Sequence, residues 1–368
     1  MKRTAMVAQQ AMATKGAQTA TKQPTDILGS WAVPGLTALF LCAFCLAVAI
    51  GSVTVHITQV PAIISAKLTG QALPSQVTPA MGDILWELRI PRVILAAVVG
   101  AGLALSGTIM QASVQNPLAE PFILGIASGA SAGAVLAILA DYVLHMSLIP
   151  VPLAAFVGAI GATVAVLLLG GLGRRLSTVK LVLAGAVVSA LCMAVANFII
   201  YLAADAEGMQ SAVFWSMGSL ADAKWSGLLW PTAVLGGSAL YFLSQVRALD
   251  VLLLGAEAAV TLGINATRKR YVYMTLVAIM TGVLVAQCGI IGFVGLVIPH
   301  MARQLIGTGH RRLLPVVMLG GATFLILADL LARIVLPAGD LPIGILTALL
   351  GAPLFMKLLF GNSGNFGG

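Results

Sequence analysis

Apolar residues in this chain come in unbroken runs of about 20, the length of a helix that crosses a bilayer. They show none of the two-residue alternation of a half-buried strand. Charged or Gly/Pro-rich breaks separate ten such runs, at about 32–55, 90–111, 120–140, 150–171, 180–203, 226–246, 271–291, 295–306, 312–335 and 342–360. The last two of these before residue 312 are divided only by a Gly-rich stretch. The pattern predicts an all-α polytopic membrane protein of about ten transmembrane helices. A transmembrane β-barrel is excluded, because its strands alternate apolar and polar positions.

Composition narrows the class further. Apolar residues make up 60% of the 368 and charged residues only 9%, against roughly 25% charged in a soluble domain. A soluble enzyme, a disordered chain and a disulfide scaffold are therefore excluded. Cys42, Cys45, Cys192 and Cys288 all fall inside apolar runs. The CxxC of Cys42 and Cys45 lacks the polar or Gly-rich setting of a redox or metal motif.

The few charges report topology. The first 30 residues form a basic tail with Lys2, Arg3, Lys15 and Lys22 against Asp26. It is expected to be cytoplasmic, and the apolar run after it is too long for a cleavable signal. With ten spans and the N-terminus inside, fifteen of the 20 basic residues fall on the cytoplasmic side. The five outside are Lys67, Arg89, Arg92, Lys224 and Arg333, while eight of the 12 acids lie outside. That asymmetry obeys the positive-inside rule with both termini cytoplasmic. The net charge of +8 is thereby a topology signal and gives no reason to expect nucleic-acid binding.

Small residues recur at helical spacing: Gly125, Gly129 and Gly133; Gly102 and Ser106; Gly344, Ala348 and Ala352. Such stripes let helix backbones approach in lipid, and packing inside one bundle is favoured over a dimer or pore contact. Prolines break the runs at Asn116-Pro117, Glu120-Pro121, Pro299 and Pro342, with the last two at or near span starts, where the missing N–H had no partner.

Catalytic and metal-binding chemistry is not indicated. No phosphate-binding G-x-x-x-x-G-K-[ST] and no H-E-x-x-H occur. The G-x-S-x-G of Gly129 to Gly133 sits in a span without strand–turn–helix context. The Gly361-Asn362-Ser363-Gly364 run lies in the terminal tail. His56, His145, His300 and His310 are scattered with no second ligand at i+3 or i+4, so no metal site is expected. Asp329 and Arg333 lie four apart on one helix face, which favours an ion pair over a proton relay. A bundle with no ATPase or ion relay of its own is either a passive channel or structural subunit, or one part of a powered complex.

Three blocks resemble a known family. They are R-I-P-R-V-I-L-A-A-V-V-G-A-G-L-A-L-S-G-T-I-M-Q-A-S-V-Q-N-P-L-A-E-P-F-I-L-G from Arg89, I-G-F-V-G-L-V-I-P-H-M-A-R from Ile291, and A-D-L-L-A-R-I-V-L-P-A-G-D-L-P-I-G-I-L from Ala328. The chain is similar over about 32–360 to the FecCD-type permeases of ABC importers, with a type II importer fold. The likeness implies a permease domain over 31–360 between the tail of residues 1–30 and a C-terminal tail at 361–368. It implies no catalysis by this chain, a homodimer in a bacterial inner membrane, and two cytoplasmic ATPase subunits that bind the ATP and Mg. It also implies a periplasmic or surface-tethered binding protein that delivers an iron chelate, haem or cobalamin. Among these haem is placed first, then ferric siderophore, then cobalamin, although no pathway residue separates them.

Site residues follow from the same likeness. The loop at about 248–270 is expected to dock the ATPase. Leu253, Glu257 and Leu262 are the projecting residues, and Gly255, Glu257, Ala258, Leu262 and Gly263 match the family's coupling segment. Arg89, Arg92 and Arg333 match positions that meet acidic residues of the binding protein, a task suited to the planar guanidinium. Asn197, Phe198, Tyr201, Met209, Phe214, Trp215 and Met217 are the candidates for the outer part of the pathway.

Overall fold

A computed structural model describes residues 26–51, 55–74, 77–144, 149–171, 178–202, 206–336 and 339–361. Most of the basic tail, His145, Arg174, Arg175 and residues 362–368 lie outside the described residues.

Among the described residues every regular element is helical. Each of the ten predicted runs contains one long helix: α1 (Asp26–Ala49), α4 (Ile90–Val114), α5 (Ile126–Leu144), α6 (Val151–Gly171), α7 (Thr178–Leu202), α9 (Leu229–Ser244), α12 (Ala266–Cys288), α13 (Val294–Ile306), α14 (His310–Ile334) and α15 (Ile343–Gly361). Three shorter helices were not anticipated: α2 (Val60–Thr69), α3 (Pro79–Asp83) and α8 (Ala206–Ser216). Two more, α10 (Val246–Leu253) and α11 (Ala256–Thr261), fall in and beside the 248–270 loop, whose helical periodicity predicts a short amphipathic helix. Seven of the long helices, among the described residues, are long and apolar enough to cross a membrane. The 13 residues of α13 rise only about 20 Å, short of the roughly 30 Å hydrocarbon core.

The centre of the bundle is α4. Continuous with α3 and a π-helical turn at Ile84–Arg89, it forms one rod from Pro79 to Val114. The α4 part of this rod is buried on almost every side, and it packs antiparallel to α14 and beside α13. Bare backbone makes that possible. A Cβ on Gly100 would stand 2.2 Å from the Gly321 carbonyl oxygen, and one on Gly107 only 1.8 Å from that of Gly295. The predicted small-residue stripes have internal partners as well. Gly129 abuts Gly158 and Gly133 abuts Ala154 on α6, Gly102 abuts Leu284 on α12, and Gly344 abuts the Met217 and Ile290 carbonyls. Ser106, on the face of Gly102, accepts a 3.0 Å hydrogen bond from Thr281.

Proline placement departs from the sequence expectation at Pro299. Helix α13 begins at Val294, so Pro299 lies inside it and not at its start. A proline withholds the N–H that would pair with the carbonyl four residues back, here Gly295. The Gln111 side chain supplies the missing donor, with Nε2 3.2 Å from that oxygen.

Candidate functional site: two ends of one rod

The three arginines meet at one end of the α4 rod, Arg89 and Arg92 on the rod itself and Arg333 on α14. Arg92 donates through Nε to both oxygens of Asp329, at 2.9 and 3.1 Å, and its Nη1 bonds Asp340. Arg333 Nε lies 3.1 Å from the same Asp329 carboxylate. The expected Asp329–Arg333 pair is thus half of a buried triad. Arg89 is also buried, and its Nη1 donates to the Val48 and Ala49 carbonyls at 3.2 and 2.8 Å. Those carbonyls end α1, where a helix leaves acceptors unpaired and favours a cation. The three guanidinium groups and Asp340 line one cleft of about 280 Å³. Asp340 also borders a larger cavity of about 590 Å³ with Ile138, Pro152, Phe214, Trp215 and Gln287.

The pathway candidates divide. Phe214 and Trp215, on the short helix α8, line that larger cavity. Met209 packs into an apolar cluster with Val135 and Leu139. Met217 places its carbonyl against Gly344. Asn197, Phe198 and Tyr201 lie on the exposed face of α7 and do not border the cavity.

The opposite end holds the α10–α11 loop. Gly255 turns the chain between the two helices at φ 106°, a conformation open mainly to glycine, and Gly263 ends α11 at φ 76°. The hairpin is bolted to the bundle by Leu249 and Leu252, both fully buried, and by Asp250, which accepts from the backbone N–H and Nδ1 of His310. Its tip stays uncovered. Leu253, Leu254, Val260 and Leu262 are 40–68% exposed, Glu257 and Gly263 are exposed, and Ala258 is half-buried. Leu254 and Val260 belong to this apolar tip, although sequence reasoning did not single them out.

Near this end, in the turn between α4 and α5, Glu120 Oε1 accepts the Phe293 N–H at 3.0 Å. Phe293 has φ 68°, unusual for a residue with a side chain, and it wedges against Gly351 of α15. Glu120→Gln keeps an acceptor for the Phe293 N–H and is expected to hold near-wild-type stability. Glu120→Ala orphans that N–H and is expected to cost about 1–3 kcal/mol. Melting of the detergent-solubilised protein checks both.

The family model of the FecCD transport family matches residues 39–361. The chain belongs to that family. Among its relatives, the hemin transport system permease of Yersinia pestis is 42% identical, over 76% of this chain and 84% of the relative. The cobalamin import system permease of Halobacterium salinarum is 38% identical over 85% of each chain. The molybdate import system permease of Haemophilus influenzae is 35% identical over 89% of this chain and 94% of its own length. A solved structure described as a metal-chelate type ABC transporter in an inward-facing conformation superposes with a TM-score of 0.77 at 33% identity, covering 89% of this chain and 98% of that one. The chain is thus the permease subunit of an ABC importer, a multi-pass membrane protein. It is a transporter subunit and not an enzyme, since ATP hydrolysis belongs to separate ATPase subunits.

Proposed function

We propose that two copies of this permease pair around a shared pathway in a bacterial inner membrane, with both termini cytoplasmic. Two ATPase subunits dock on the α10–α11 loop, and a periplasmic binding protein docks over the arginine cleft. The cargo is a large metal chelate, with haem ahead of ferric siderophore and cobalamin. Known relatives carry hemin, cobalamin or molybdate by name.

The apolar tip of the α10–α11 loop carries this reading. Four large aliphatic side chains stand uncovered on a hairpin flanked by Arg247, Arg268, Lys269 and Arg270. An exposed apolar patch of this kind at a polar end marks a partner surface. A passive channel has no use for it. At the other end, the cleft offers guanidinium groups held in place by internal acids and, at Arg89, by the carbonyls that end α1, a preorganised seat for a carboxylate.

The test is reconstitution of the permease with the ATPase and binding protein encoded beside it. Vesicle uptake of haem, a ferric siderophore, cobalamin and molybdate is then compared. Leu262→Asp is expected to reduce co-purification of the ATPase at least tenfold, since it places a charge where an apolar contact forms. Equal ATPase recovery with Leu262→Asp and wild type would remove the docking role of the loop. Uptake of molybdate alone would replace the chelate cargo.

A further inference from the structure

Two glutamines one helical turn apart, Gln111 and Gln115, stand at the loop end of the rod. Each uses its side-chain amide in the same way, giving a hydrogen bond to a main-chain carbonyl and taking one from a guanidinium. Gln111 donates to Gly295 and accepts from Arg303, both on α13. The first of these bonds is accounted for by Pro299, which leaves the Gly295 carbonyl unpaired. Gln115 donates to the Leu252 carbonyl at 2.8 Å and accepts from Arg270 Nη2 at 2.7 Å. Leu252 lies in α10, on the entry arm of the loop, and Arg270 lies in α12, on its exit arm. One amide therefore grips both arms.

Gln115 holds that grip from a costly backbone. It is the residue that stops α4, at φ 54° and ψ 40°, in the left-handed region. Apart from Phe293, it is the only described non-glycine residue with positive φ. A glycine or asparagine there would end the helix with less strain, so ending the helix does not account for a glutamine. The long amide does, because it spans the gap between the two arms. Immediately before it, the Val114 carbonyl accepts from Thr178, the first residue of α7.

We infer that Gln115 is the positioning residue that links the α4 rod to the α10–α11 loop, so that movement at the arginine end reaches the ATPase. Arg92 and Gln115 are 23 residues apart on one continuous helix, roughly 35 Å by helical rise. The helix is stiff and packed on nearly all sides, so a shift at one end is carried to the other. The clamp makes the loop follow that shift. The π-helical turn at Ile84–Arg89 is the one break in the rod's α-helical winding, and it lies at the arginine end, where such turns mark places that adjust. The inference rests on the proposed docking of the ATPase on this loop.

The test uses the assembled transporter, permease with its ATPase and binding protein. Gln115→Asn keeps an amide that tolerates the left-handed conformation but is one methylene too short to reach both arms. Arg270→Gln removes the guanidinium from the other side without touching the α4 terminus. Both are expected to lower the ratio of binding-protein-stimulated to basal ATP hydrolysis at least roughly tenfold, the scale of losing one charge-assisted hydrogen bond. ATPase co-purification is expected to stay at the wild-type level, which a misfolded loop would not allow. Wild-type stimulation in both variants would overturn the inference. If Gln115→Asn fails to fold, Arg270→Gln decides alone. Failure of the ATPase to co-purify with the wild-type permease would overturn the docking reading, and the inference with it.

Discussion

Gly107→Ala is expected to keep the permease from reaching a stable bundle. The added Cβ would fall 1.8 Å from the carbonyl oxygen of Gly295, 2.5 Å from its carbon and 2.6 Å from its Cα. All three atoms are backbone, so no side chain can rotate away. Relief requires α4 and α13 to separate. That movement breaks the Gln111 bond to the same Gly295 carbonyl and loosens the loop that Glu120 holds at Phe293. Overpacking with side chains costs about 1–3 kcal/mol. A collision between two main chains is expected to exceed about 4 kcal/mol, the range reserved for a few severe mechanisms. Gly236→Ala on α9 is the control, since nothing lies within 4 Å of the added carbon. There the change is expected to be neutral or slightly favourable, because alanine is the better helix former. Membrane yield and melting temperature of the two variants make the comparison. A wild-type melting temperature for Gly107→Ala would mean that the helices do not touch here.

Asp329→Ala is expected to be nearly as damaging, for an electrostatic reason. Asp329 is 1% exposed and lies between Arg92 at 11% and Arg333 at 7%. Removing one partner of a buried ion pair costs about 3–5 kcal/mol, because the charge left behind has lost its compensation. Here one substitution takes a carboxylate from two guanidinium groups and strands one of them. Arg92 keeps Asp340. Arg333, whose Nη2 is already buried without a hydrogen-bond partner, loses its acid. Asp329→Asn retains an acceptor and is expected to fall between alanine and wild type. Adding Arg333→Leu to Asp329→Ala is expected to recover part of the loss, by removing the stranded charge. Thermal melts of the single and double variants form the cycle that isolates the coupling. Additive effects would mean that the two residues do not interact.

Much of the architecture was legible in the chain. Hydrophobic run length depends only on bilayer thickness and helical rise, so the ten long helices could be placed with ends off by up to six residues. The Asp329–Arg333 pair was legible because i and i+4 share a helix face. The Gly125, Gly129 and Gly133 stripe was correctly assigned to packing inside one chain, for close approach is the main use of bare backbone in lipid. Gln111 and Gln115 were not singled out from the sequence, although two polar residues four apart at the end of an apolar run are a signal that could have marked them. Their partners carried no such signal, since Arg303 and Arg270 lie 192 and 155 residues away in sequence.

By itself, then, the sequence determined the class of protein, the approximate positions of its ten long helices, and the family. These follow from local quantities: run length, helical spacing and motif order. Only the tertiary structure decided what the few charges touch. It showed Arg89 bound to the end of α1, Arg92 and Arg333 sharing Asp329, and Asp340 standing between the arginine cleft and the cavity of Phe214 and Trp215. It also separated Phe214 and Trp215 from Asn197, Phe198 and Tyr201, which lie on another helix face. The reason is physical. In a bundle of antiparallel helices, neighbours in space are distant in sequence, and a side chain's partner depends on helix rotation and depth. No periodicity along the chain encodes either.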